Sequence, residues 1–338
     1  MAIRGHIFAI FTIIVWGITF IATRVLLDAG IAPFEVLVIR FVMAYFILLA
    51  LRPKMIPYRG LKHEVPFILC GFFGVTLYYL AENTALLYTL ASNVGIISAT
   101  APFMTAIVFW ILFKERPSML FVIGFVVAIA GVALVSGGGG SQEDTGLLGD
   151  AIAFLAATLW AGYNIGMRKI DEVSAGDNPP FGMDDVLLVT RRIFFWGALT
   201  TLCGVPFLGF RVSPEVLLHV DVVICLVFLT ILGSVACYVT WNSSIRILGE
   251  VKSSIYIYAI PAVTCVSSWL VLNEQLTWQS WLGLAFILGG LVISQIATRK
   301  AQITDKNPVA SARLVKFTQA ASRACRTIKG KERYAKHY

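Results

Sequence analysis

The sequence predicts an all-α integral membrane protein in which ten transmembrane helices form two inverted five-helix repeats, with both termini cytoplasmic. Three observations lead there: a composition short of charge, ten apolar stretches, and an internal repeat. Of the 338 residues, 58% are hydrophobic and 14% charged, and the mean hydropathy is +0.81. An average soluble domain carries roughly 25% charged residues. Too few charges remain here to clothe a water-facing surface, so lipid is the main solvent.

The apolar stretches fall at 5–26, 34–51, 66–88, 93–113, 118–136, 147–167, 186–209, 217–245, 252–272 and 278–297. Each approaches the ~20 residues that cross about 30 Å of hydrocarbon at ~1.5 Å per residue. Turn formers separate them, among them Ala32-Pro33, Arg116-Pro117-Ser118 and Asp177-Asn178-Pro179-Pro180. Unbonded backbone groups are not tolerated in lipid, so such continuous spans must be helices. The first stretch is too long for the core of a signal peptide, lacks a small-residue cleavage site and carries Trp16 and Arg24, so it reads as retained. The six cysteines show no paired spacing and no accompanying histidine cluster, which supports neither a disulfide framework nor a metal site.

Orientation follows from the basic residues. With the N-terminus cytoplasmic, 22 of the 27 Lys and Arg fall on inside segments, and only Arg24 and Arg211 fall outside. Arg40, Arg191 and Arg192 lie within spans. That bias sets both termini in the cytoplasm. The net charge of +8 is thus a property of one membrane face, and no nucleic-acid module accompanies it.

The repeat is visible at two offsets. Shifting the first span by 144 residues lays Gly5 on Gly149, Trp16 on Trp160 and Arg24 on Arg168. A shift of 159 brings Gly74 to Gly233, Tyr79 to Tyr238, Asn83 to Asn242, Pro102 to Pro261, Trp110 to Trp269, Glu115 to Glu274, Gly124 to Gly283 and Gly131 to Gly290. Trp, Pro, Asn and Glu are scarce in membrane segments, and one register holds for almost sixty residues. With five spans per repeat the second half enters the membrane from the opposite side. Inverted repeats suit alternating access, because exchanging the conformations of two similar halves turns an inward-open state into an outward-open one. The expected parts are residues 1–136, the first repeat; 137–146, an outer linker; 147–298, the second repeat; and 299–338, a basic cytoplasmic tail. The glycine run of the linker is not a phosphate loop, since no Lys-Ser/Thr comes after it.

Segments 91–135 and 250–294 each hold a proline, a glutamate just after the span (Glu115, Glu274) and glycines in the next helix. In this the chain resembles the paired repeats of the EamA family of the drug/metabolite transporter superfamily, over roughly residues 5–297. The basic tail and the loop 171–180 are not part of that pattern. The resemblance implies a secondary transporter, read as an exporter, in a bacterial inner (plasma) membrane. Its Trp- and Tyr-rich interior is similar to that of bacterial aromatic amino acid exporters, which implies amino acids, aromatic ones included, as the substrate class. Nucleosides, sugars, polyamines or drugs are the other metabolite classes open, and a non-transporting scaffold or receptor is the remaining alternative.

Candidate substrate-binding residues recur on helical faces near mid-span. Thr12, Trp16, Thr19 and Thr23 form one stripe. Trp160, Tyr163 and Asn164 take the equivalent place in the sixth span. Tyr78 and Glu82, Tyr79 and Asn83, and Tyr238 and Asn242 are each four apart and share a face, with Trp241 alongside. Two readings fit: aromatic walls and polar groups of a central cavity, or side chains that pack membrane helices together. Pro102 and Pro261 read as hinges or static kinks. Glu115 and Glu274 read as structural carboxylates at the start of the helix after each of them. Leu314, Phe317, Ala321, Ala324 and Ile328 recur at helical spacing among basic residues, which fits a helix on an anionic leaflet or a solvated tail.

Of the 19 acidic residues only Glu82 lies well inside a span, at a depth of roughly 9 Å that Arg40 shares. The pair reads as an outer gate, a proton-coupled site or a structural ion pair. Arg191 or Arg192 is the candidate holder of a substrate carboxylate. No cofactor and no metal is expected, and neither an ATP-binding motif nor hydrolase signatures are present. The expected partners are a small-molecule substrate and the lipid bilayer, not nucleic acid, with the chain a monomer or weak homodimer. Cysteines introduced at Gly139 and Gly60 should be labelled by an impermeant maleimide from opposite sides of the membrane, Gly139 on intact cells and Gly60 only after permeabilisation. Labelling of both from one side would remove the inversion.

Overall fold

The computed structural model describes residues 2–54, 57–114, 118–137, 146–175, 186–248, 256–257 and 259–305. Glu115, nearly all of the expected linker, the second half of the loop 171–180, the tail beyond 305 and the side chain of Asn242 lie outside them. Among the described residues every regular element is a helix. α1 (Ala2–Asp28) and α2 (Pro33–Leu51) are followed by α3 (Leu61–Gly71), which runs through a π-helical stretch, Phe72–Leu77, into α4 (Tyr78–Tyr88). Next come α5 (Ala91–Ser98), α6 (Ala101–Phe113), α7 (Met119–Gly137), α8 (Gly146–Ala175) and α9 (Val186–Leu202). Two short turns, α10 (Val205–Leu208) and α11 (Pro214–Leu217), lead to α12 (Val220–Val227), which passes through a second π-helical stretch, Phe228–Ala236, into α13 (Cys237–Leu248). The last two helices are α14 (Ile260–Leu272) and α15 (Trp278–Asp305).

Among the described residues seven helices are long and apolar enough to cross a membrane. α5 and α6, bent by 41° at a short break, make an eighth crossing when taken as one. Two shorter apolar helices, Ile260–Leu272 and Trp278–Ser294, occupy the ninth and tenth apolar stretches of the sequence.

Local chemistry explains the boundaries. Pro33, Pro102 and Pro261 sit in the first turns of α2, α6 and α14, where a missing N–H costs no helical bond. Hydropathy places the two later prolines near the middle of continuous spans; each instead begins a helix. Pro102 cannot donate to the carbonyl of Ser98, and the helix breaks there. At α2 the buried Glu35 accepts from the Ala32 amide at 2.8 Å and from the Arg211 amide at 2.5 Å, so one carboxylate closes a helix and pins a distant connection. α6 and α14 both end on left-handed residues, Lys114 at φ 61° and Asn273 at φ 54°.

The packing comes in matched sets. α1 packs on α13 and α14 as α8 packs on α4 and α6, while α2 meets the second π-helical stretch as α9 meets the first. α7 and α15 approach through glycines: a Cβ on Gly131 would stand 2.6 Å from the Gly283 carbonyl oxygen, and one on Gly283 2.6 Å from that of Gly131. Only glycine permits that approach, the small-residue solution of membrane helix pairs. Their outer faces expose Ile123, Val126, Phe286 and Val292, as surfaces meeting lipid do.

Gly283→Val should therefore destabilise the detergent-solubilised protein by about 1–3 kcal/mol, read as a lower melting temperature. Gly289→Ala, where an added Cβ meets nothing within 4 Å, should leave it unchanged or slightly raised.

Candidate functional site

Helices from both sequence halves bring one set of aromatic side chains together at the centre of the bundle. Trp160 and Tyr163 of α8 stack at 4.6 Å with an interplanar angle of 24°. Trp160 meets Tyr78 at 5.0 Å, Tyr78 meets Tyr79 at 4.8 Å, and Tyr79 meets Phe41 at 4.9 Å. Phe41 meets Phe194 at 5.3 Å, Phe194 meets Tyr238 at 5.1 Å, and Tyr238 returns to Tyr163 at 6.5 Å. The contacts close into a ring drawn from α2, α4, α8, α9 and α13. Trp16 joins it edge-on to Tyr238 at 6.1 Å and lies 5.6 Å from Trp241. Most of these pairs are tilted or edge-to-face, the arrangements that ring quadrupoles favour.

Polar groups line the same region. The Trp16 indole N–H donates to the Gly233 carbonyl at 3.2 Å, and the Tyr78 hydroxyl donates to the Glu82 carboxylate. Thr19 spends its hydroxyl on the carbonyl of Trp16 at 2.6 Å. Asn164 donates to Thr105 at 3.0 Å, tying α8 to α6. Asn83 instead donates to the Pro33 carbonyl at 3.2 Å, so it ties α4 to the start of α2.

The expected Arg40–Glu82 pair is not formed. Arg40, 1% exposed, donates from Nε to Ser234 at 2.8 Å and lies over the ring of Tyr79 at 4.5 Å. Equal depth along two helices does not set the direction in which each side chain points, and Glu82 turns to Tyr78. Arg191 and Arg192 are likewise engaged elsewhere. Arg191 donates to the carbonyl of Arg52, which caps the end of α2, and to that of Lys54 just beyond the helix. Arg192 pairs with the buried Glu64, which also accepts from the Trp196 indole at 2.9 Å. These bonds tie α9 to the end of α2 and to α3.

Sequence reasoning missed three features. The π-helical stretches are invisible to hydropathy, although the repeat matches Gly74 with Gly233 at their centres. Ser234 has no pattern to flag it. The sequence assigns Glu274 to the helix after it, yet its carboxylate accepts from the amides of Ala91 and Ser92 at 2.8 and 3.0 Å and from the Ser92 hydroxyl at 2.7 Å, capping α5 in the other sequence half. At the far end of α8, beyond the apolar span, Lys169 and Arg168 bond Glu172 and hold its carboxyl below the usual range.

The EamA-like transporter family model matches residues 3–137 and again 147–295. The chain belongs to the EamA-like transporter family. It is 24% identical to an "Uncharacterized transporter" of Clostridium kluyveri over 90% of this chain and 96% of that one. It is also 24% identical to a "Probable amino-acid metabolite efflux pump" of Escherichia coli over 88% and 97%. A solved crystal structure shares the fold at a TM-score of 0.58 and 17% identity, covering 87% of this chain and 98% of its own. As an EamA-family protein it is a multi-pass membrane transporter of small molecules.

Glu274→Ala should remove the α5 cap and lower stability by about 0.5–2 kcal/mol, measured as a melting shift in detergent. Full stability retained would mean that those amides find other partners.

Proposed function

We propose that this protein is a secondary transporter that exports small organic metabolites, amino acids including aromatic ones first, by alternating access. The observation that carries the reading is the closed aromatic ring, in which side chains of α2 and α4 interlock with those of α8, α9 and α13. A planar substrate stacking there would contact both sequence halves at once, as a site at the repeat interface requires. Further support comes from the matched helix pairings, from the two separate family matches, and from the name borne by the Escherichia coli relative. In this reading ten spans divide into the repeats 1–136 and 147–298, joined by the outer linker and trailed by the basic tail, with both termini cytoplasmic and the protein in a bacterial inner membrane. Trp16 and Trp160 face substrate from opposite halves, the breaks ahead of Pro102 and Pro261 are hinges, and Glu82 with Tyr78 is the coupling site.

Reconstitution into proteoliposomes tests this. Radiolabelled L-phenylalanine should be moved by the wild type, and Trp16→Ala or Trp160→Ala should each lower its transport about tenfold, the loss of an aromatic contact plus its buried area. Glu82→Gln, which keeps the shape, should flatten the dependence of flux on pH. A nucleoside, sugar or polyamine carried in place of every amino acid would overturn the substrate class, and normal flux with both tryptophans removed would overturn the site.

A further inference from the structure

Among the described residues Arg40 bonds no anion. It is 1% exposed within a span, and its single hydrogen bond among the described residues runs from Nε to Ser234. Ser234 in turn donates to the Leu229 carbonyl at 3.0 Å, within the second π-helical stretch. Nη2 is buried with no hydrogen-bonding partner among the described residues. The ring faces of Tyr79 at 4.5 Å and Phe41 at 5.1 Å cushion the guanidinium, but neither carries a counter-charge. A guanidinium offers five donors and cannot shed its proton, so most of its capacity stands unused where water is scarce. Leaving a buried charge uncompensated is among the costlier arrangements in a folded protein. In a membrane span such residues mark pathways.

The direction of the orphan nitrogen says what would satisfy it. A Cβ built on Gly233 would come 2.9 Å from Thr19 Cγ2 and 3.5 Å from Arg40 Nη2, so only a glycine fits there and the nitrogen lies close against its backbone. The carbonyl of that glycine holds the Trp16 indole. The unused donors thus lie beside the tryptophan that opens the aromatic cluster, with Tyr79 on the other flank. A planar bidentate anion matches the guanidinium fork.

We propose that Arg40 is the anchor for the carboxylate of an aromatic or bulky substrate acid, the ring of that acid lying against Trp16 and Tyr79. Arg40 thereby takes the role that the sequence offers to Arg191 or Arg192. The assignment rests on the transporter reading and narrows it to substrates bearing a carboxylate.

Purified full-length protein in detergent, followed by intrinsic tryptophan fluorescence, is titrated with four probes: L-phenylalanine, 3-phenylpropionate, phenylalaninamide and phenethylamine. The two acids should bind at least about tenfold more tightly than the two compounds lacking a carboxylate, the usual weight of a charge-assisted bond. Arg40→Gln should abolish that preference, and Arg40→Lys, which keeps the charge and loses the fork, should retain part of it. Equal binding of acids and amines, binding of neither acid, or an unchanged preference in Arg40→Gln would each overturn the assignment, and the wild-type series alone does so if the variants fail to fold. The same protein in proteoliposomes separates this from the substrate reading. Binding of 3-phenylpropionate through Arg40 without transport of L-phenylalanine leaves the anchor standing and removes the amino acid class. Transport of L-phenylalanine at normal rate by Arg40→Gln does the reverse.

Discussion

Hydrocarbon offers no hydrogen bonds, and nearly every departure from plain helix in this protein is an answer to that constraint. Where Pro102 deprives Ser98 of a donor, the helix stops and restarts at an angle rather than leave a bond half made. Where α5 begins inside the protein, its first amides are met by Glu274 from a helix end more than 180 residues away. The Ala32 amide at the start of α2 is met by Glu35. The two π-helical stretches widen the turn without unbonding it, and each falls at the matched glycine of its half. Such bulges are often found at functional sites, and here the second one presents Gly233 and Ser234 to Trp16 and Arg40.

Against that background of satisfied groups Arg40 stands apart. Glu64 has Arg192 and Trp196, Asp150 has Thr89 at 2.7 Å, and Arg191 has two backbone carbonyls. These groups tie helices together at the ends of spans. Arg40 ties little, since among the described residues it holds one serine and two ring faces. A protein that meets its other buried charges so thoroughly makes the exception informative, because strain of this kind persists where function retains it.

Much of this was legible in the sequence for a simple reason. Trp, Tyr and Glu are rare enough in membrane spans that their spacing carries information, so Trp16, Tyr78, Trp160, Tyr163 and Tyr238 could be assembled from helical periodicity alone. The family signature lay in glycine, proline and glutamate positions that recur after 159 residues. Azimuth could not be read. Arg40 and Glu82 share a depth, but helical rise says nothing about which neighbour each faces, and the π-helical stretch just before Tyr78 rotates the whole of α4 about its axis. Asn83 sits four residues from Tyr79 yet bonds the Pro33 carbonyl, because α2 begins beside it. Glu274 escaped for a related reason: the helix it caps is adjacent in space and remote in sequence.

The carboxylate of Glu274 also bears on time. It joins the end of α14 to the start of α5, one element from each sequence half, through three donors at 2.7–3.0 Å. Any motion that parts those two elements must strip an ion of its contacts before water can replace them. Losing even one bond of this kind shifts an equilibrium or a barrier by roughly 1.5–3 kcal/mol, about ten- to a hundredfold in rate. Parting α14 from α5 is therefore slowed by a side chain outside the aromatic ring, so the rate of that motion can be tuned at Glu274 while the ring itself stays as it is.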